Sequence, residues 1–269
     1  MTTPSAATCN VIALAAARRE WLSHRLNRFL YAHLALVLVA GFLPLMSGPD
    51  ALMSGANWWL LHAVLYAVSL SAFLLGLSSA HAESEEFVWL LGQPAGVGPW
   101  LLGKAAALVI LAAASAGLLG LPSALAGAAS PELALTTGGA AGVAIFCAVA
   151  GLATGFWIRD SVRGLIAVVG LWLLLLFGTD LLLLALAGAP VVQKHSDVWV
   201  AALMLNPLDA FRVMVLFAVE RAAFSGLQAG TLAGWWAEHA PSWLAILTTA
   251  WSSLALAIAW RGVRCLLDV

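Results

Sequence analysis

The sequence predicts an all-α integral membrane protein in which six transmembrane helices make a single domain over residues 1–269. Three observations lead there. Hydrophobic residues make up 63% of the chain and charged ones only 9%, where soluble domains carry about a quarter charged. The apolar runs reach the roughly 20 residues that a helix needs to cross a hydrocarbon core of about 30 Å. No segment alternates in the way a barrel strand does, which excludes a β-barrel.

The apolar runs place spans near 29–46, 58–80, 100–121, 133–157, 164–188 and 243–260. Ser47-Gly-Pro-Asp50 ends the first. Pro122 and Pro131 bracket a loop after the third, and Arg159-Asp-Ser-Val-Arg163 parts the fourth from the fifth.

Ahead of the first span, residues 9–28 read as a helix lying in the membrane interface. Leu14, Ala15, Trp21, Leu22, Leu26 and Phe29 share one face, and Glu20, Ser23, His24 and Asn27 lie opposite. Arg18 and Arg25 intrude on the apolar arc and would snorkel to headgroups. The early apolar run is followed, not preceded, by positive charge, so it is expected to be retained and not cleaved as a signal peptide.

Lysine and arginine set the orientation. With both termini in the cytoplasm, Arg18, Arg19, Arg25, Arg28, Lys104, Arg159, Arg163, Arg261 and Arg264 fall inside, and Lys194, Arg212 and Arg221 outside. The positive-inside rule favours that arrangement. Trp58, Trp59, Trp100, Trp157, Trp243 and Trp260 sit at span ends, as interfacial anchors do.

Between spans two and three stands a charged patch, Glu83, Glu85 and Glu86, followed by Phe87, Val88, Trp89, Leu90, Leu91 and Pro94. Carboxylates at bilayer depth cost a few kcal/mol each, so the patch faces water. Its apolar run marks an amphipathic element over 83–99 that lies against something, with Lys104 opening the next span. The longest non-spanning piece, 189–242, falls outside. It is expected to form short helices on the outer leaflet. Asn206 before Pro207 opens one of them, with Asp209 in its first turn and Arg212 able to pair with Asp209 at i, i+3. With Trp235 and Trp236, these residues are candidates for contact with a periplasmic partner; the alternative is a capped surface helix and tryptophans that only anchor in headgroups.

No constellation for catalysis is present. Walker, HExxH and GxSxG patterns are missing, so the chain is not expected to be an enzyme or to hydrolyse ATP itself. Cys9, Cys147 and Cys265 have neither disulfide nor zinc spacing. His33 and His62 lie within spans one and two, where satisfied interior histidines outweigh a metal pair. Asp180 is the one acid well inside a span. It is expected to face protein, either in a functional role or in a packing hydrogen bond shared with Thr179.

The order Glu83, Glu85, Glu86, Leu90, Leu91, Gln93, Pro94, Leu102, Gly103, Lys104 resembles the cytoplasmic loop of the permeases of type-2 ABC exporters. Gln93-Pro94, Asp180 in its leucine run and Asn206-Pro-Leu-Asp-Ala-Phe-Arg212 are similar, within that family, to the permease of the nitrous-oxide-reductase maturation transporter. The resemblance implies a homodimer in the bacterial inner membrane on a dimer of cytoplasmic ATPases, which use ATP and Mg. It implies a periplasmic copper-handling partner, and ATPase coupling through Glu83, Glu85, Glu86, Phe87, Leu90, Leu91, Pro94 and Lys104. No cofactor, metal or nucleic acid is expected on this chain. The rival readings are an exporter of a lipid, drug or polysaccharide, and an intramembrane metal- or haem-binding subunit using His33, His62 and Asp180.

Overall fold

The structure, a computed structural model, describes residues 6–25, 27–46, 57–82, 97–186, 189, 203–216 and 231–265. The regular structure among them is helical throughout. In chain order the helices are α1 (Ala6–His24), α2 (Arg28–Met46), α3 (Asn57–Ala82), α4 (Val97–Ala128), α5 (Pro131–Trp157), α6 (Ser161–Leu186), α7 (Pro207–Met214) and α8 (Thr231–Cys265). Six of these, α2 to α6 and the Glu238–Cys265 part of α8, are long and apolar enough to cross a membrane. Each overlaps one of the six runs read from the sequence.

Local chemistry accounts for the helix starts. Asn27 Oδ1 accepts from Phe29 N at 2.9 Å ahead of α2. Ser130 Oγ accepts from Leu133 N at 3.1 Å and Pro131 opens α5. Asp160 Oδ1 accepts from Arg163 N at 2.8 Å at the start of α6. Each satisfies an amide that has no partner within its helix. Gly127, at φ 91°, ends α4 with a backbone turn that other residues rarely adopt.

Small residues decide the packing. A Cβ on Gly76 would stand 1.9 Å from Ala148 O, and one on Gly151 would stand 2.1 Å from Phe73 O. Backbones of α3 and α5 therefore touch at two reciprocal points, the close approach that small residues permit between apolar helices. Around that seam Phe73 meets Phe146 edge-on, with centroids 6.1 Å apart. Helix α5 occupies the middle of the bundle, against α3, α4 and α8. Helix α6 is the least covered, 11% buried over its apolar window, and it turns Ile166, Leu174, Leu181 and Leu184 outward.

Three expectations from the sequence change. The loop anticipated between Pro122 and Pro131 is almost entirely helical, because Pro122 is taken into α4 and Pro131 starts α5. The segment 189–242, expected outside, does not end where anticipated, since 231–242 belongs to α8, which continues through Pro241 into the last apolar helix. Helix α1 turns its polar face inward: Glu20 and His24 are buried, and Leu14, Trp21 and Leu22 are exposed.

Candidate functional site

Two polar clusters lie at opposite ends of the bundle. Ser161 of α6 lies near one and Asp180 of α6 belongs to the other, which separates them by about 28 Å of helix rise.

The first cluster joins α1 to α3 and α4. Lys104 Nζ donates to Glu20 Oε2, and Ser79 Oγ donates to Glu20 Oε1. His24 Nε2 approaches Glu20 Oε1 at 2.9 Å without hydrogen-bond alignment. The Glu20 and Lys104 side chains are each 1% exposed. Burial acts against the Glu20 charge. The approach of His24, the charge of Lys104, and the hydrogen bonds from Lys104 and Ser79 outweigh it and hold the carboxyl down to about 2. The arrangement is steric as well as ionic: a Cβ on Gly103 would stand 2.1 Å from Ala13 O, so α1 lies directly on α4 one residue before the lysine.

Lys104, grouped with the coupling loop from sequence, is thus inside the bundle on Glu20. It cannot also offer a surface charge to another protein, because an amphipathic helix lies over it. Sequence reasoning missed Glu20 as its partner. The available signal was that Glu20 is the only acid before Asp50, placed on the same side as His24 at i, i+4. Glu83, Glu85, Glu86, Phe87, Leu90, Leu91 and Pro94 lie outside the described residues.

The second cluster gathers residues that the sequence offered as separate motifs. Asn206 caps α7, its Oδ1 accepting from Leu208 N at 3.1 Å, with Pro207 in the first turn. Its Nδ2 donates to Asp209 Oδ2 at 2.7 Å and to the carbonyl of Leu175 on α6. Thr179 Oγ1 also donates to Asp209 Oδ2. Arg212 Nη1 stands 2.9 Å from Asp180 Oδ2 and 3.3 Å from Asp209 Oδ1, so it bridges both acids. Burial pushes the Asp209 carboxyl up. Thr179, Arg212 and Asn206 pull it down, and Asp180 adds to the upward push.

The expected helix opening, first-turn acid and i, i+3 pair are all found. Asp180, expected to face protein, is instead 46% exposed at its side chain; its polar neighbour is Arg212, and Thr179 bonds Asp209. Arg212, within the otherwise apolar end of α7, is thereby paired with an acid on its own helix and one on α6. As contact candidates, however, Asn206 and Asp209 are corrected: they are 7% and 1% exposed, spent on fastening α7 to α6. Arg212 keeps 26% of its side chain exposed. Trp235, 42% exposed, stacks on His239 with centroids 4.8 Å apart. The side chain of Trp236 lies outside the described residues.

His33 and His62 do not form a pair. His33 is 1% exposed and sits between Ser71 Oγ at 2.7 Å and Ser115 Oγ at 2.9 Å, tying α2 to α3 and α4. His62 bonds the Trp58 carbonyl at 2.8 Å and stacks with Trp58 and Tyr66. Among the described residues no group of three His, Cys, Asp or Glu is placed to hold a metal. Compared with known proteins, the chain matches no family model and no curated protein.

Proposed function

We propose that the chain is the membrane-spanning permease subunit of an ABC-type transporter, inserted with six spans and both termini in the cytoplasm. It acts as a homodimer that transmits ATP-driven motion from a separate ATPase. The observation that carries this reading is the Glu20–Lys104 link. The helix that emerges from the acidic segment 83–96 is fastened, within its first turns, to α1 by a buried ion pair and a glycine contact. A displacement of that segment would move α1 and α4 together. The weakly covered α6, with its outward leucines, offers a face for the second copy.

At the outer end, the Asn206–Arg212 helix is coupled to α6 and continues the transmission path. By the resemblance of that motif, the reading extends to a periplasmic copper-handling partner in nitrous-oxide-reductase maturation, met through 189–242. A tagged chain purified from its native membranes tests the core of the reading: a co-purifying ABC ATPase is expected. Changing Glu83, Glu85 and Glu86 to Lys should abolish its recovery while the permease still inserts. Absence of any ATPase from the unaltered preparation would overturn the proposal.

An apolar groove of about 680 Å³ favours a second reading, export of a lipid-like cargo. It lies between α4, α5 and α8, with Gly138, Gly142, Thr248, Thr249 and Ser252 among its walls. Filling it by Gly138→Leu, where a Cβ would meet nothing, should stop transport without releasing the ATPase if cargo passes there, and should leave maturation activity intact if it does not.

A further inference from the structure

We propose that a cleft at the α1–α2 corner binds the phosphate headgroup of an anionic phospholipid. The cleft measures about 710 Å³ and is enclosed by the end of α1, the start of α2, the end of α3 and the start of α6. That lies within the range of about 300–1,000 Å³ typical of small-molecule sites. Its lining is divided by chemistry. Arg28, His24, His81, Asn27 and Ser161 supply the polar part, and Phe29, Leu77, Val162 and Leu165 the apolar part.

The polar part suits an anion. The N-termini of α2 and α6, at Arg28 and Ser161, both open on the cleft, and helix N-termini carry partial positive charge. No carboxylate of a described residue lines it, and Arg28 makes no ion pair with a described residue. Arg25, Arg159 and Arg163 are exposed within three residues of lining positions. Asp160, next to lining Ser161, is engaged in capping α6, and Glu20, which touches lining His24 and Ser79, is paired with Lys104. His24 also lines the cleft, but its Nε2 stands 2.9 Å from Glu20 Oε1 and is spent on that contact.

The apolar part suits acyl chains. Phe29, Val162 and Leu165 are exposed at 49%, 64% and 43%, so the cleft opens onto the flank of the bundle that would meet lipid. A basic pocket with apolar flanks between helices on the cytoplasmic side is the chemistry that selects anionic headgroups. A free phosphate would use only half of it.

The proposal rests on the membrane reading above, though not on the transport reading. Flotation of the reconstituted chain with vesicles separates the two: a chain that does not float defeats the membrane reading itself. For a chain that floats, thermal unfolding is followed in detergent with added phosphatidylglycerol, phosphatidylcholine or inorganic phosphate. Phosphatidylglycerol should raise the unfolding midpoint by several degrees over phosphatidylcholine. That difference should fall by at least half in Arg28→Gln. Val162→Trp, which fills the apolar half and keeps the charge, should reduce it too. An equal response to the two lipids, or an undiminished response in both variants, would overturn the proposal. Equal protection by inorganic phosphate alone would overturn the lipid assignment in favour of a simple anion site.

Discussion

Lys104 donates to Glu20 with both side chains 1% exposed, and this contact turns an amphipathic N-terminal helix into part of the bundle. A charge in that position is tolerated only with its partner, and each partner is supplied by a different helix.

Removing one member should therefore be far worse than removing both. Glu20→Ala or Lys104→Ala is expected to cost about 3–5 kcal/mol, since a buried charge is left without compensation. The double variant Glu20→Gln with Lys104→Met should be much closer to the unaltered protein. Chemical denaturation in mild detergent, analysed as a double-mutant cycle, checks this; additive losses would show that the pair is not coupled.

Glu20 also predicts an acid limit. Its carboxyl titrates near 2 in the folded chain instead of about 4.5, so folding favours the ionised form. The stabilisation, about 3 kcal/mol, is present above pH 4.5 and is lost as pH falls from there towards 2. In Glu20→Gln the unfolding midpoint should decline less steeply across that window.

Asp209 predicts the opposite slope. Its carboxyl is pushed above 3.8 by burial, so the folded state holds the proton more tightly and stability falls as pH rises past 3.8. Asp209→Asn keeps an oxygen for Thr179 and Asn206 and removes the charge. Measured against the unaltered chain, its relative stability should increase with pH upwards from about 4. A pH-independent difference would contradict this.

Asp180 and Arg212 are unequal partners. Asp180 is 46% exposed at its side chain, and exposed pairs are worth about 0–1 kcal/mol. Asp180→Ala should therefore lower stability by no more than about that amount. Arg212→Ala also leaves buried Asp209 without its cation and should cost more, on the order of 2 kcal/mol. Thermal unfolding of the two single variants ranks them.

The α3–α5 seam is intolerant of bulk. Gly76→Ala and Gly151→Ala place a methyl group where a carbonyl already stands, and should each cost about 1–3 kcal/mol or more. Gly98→Ala, where a Cβ would meet nothing, is the matched control. Yield of monodisperse protein after detergent extraction reports the outcome.

By itself the sequence determined the helical class, the existence of the six apolar helices, four of them to within three residues at either end, and the opening of α7 at Asn206. These depend on composition, run length and capping, all local properties that survive without knowledge of neighbours. Only the tertiary structure decided what the polar residues do. Glu20 looked like the wet face of an interfacial helix, and Lys104 like a residue at the cytoplasmic opening of the third span. Asp180 and Arg212 stand 32 residues apart on different helices, so no helical spacing connects them. Polar groups in an apolar bundle are placed by the partners that satisfy them, and those partners arrive from distant parts of the chain. The same reason explains Pro122, which read as a break in sequence, and Pro241 within α8. Tertiary packing keeps both inside helices, as happens where neighbouring apolar helices hold the chain on either side.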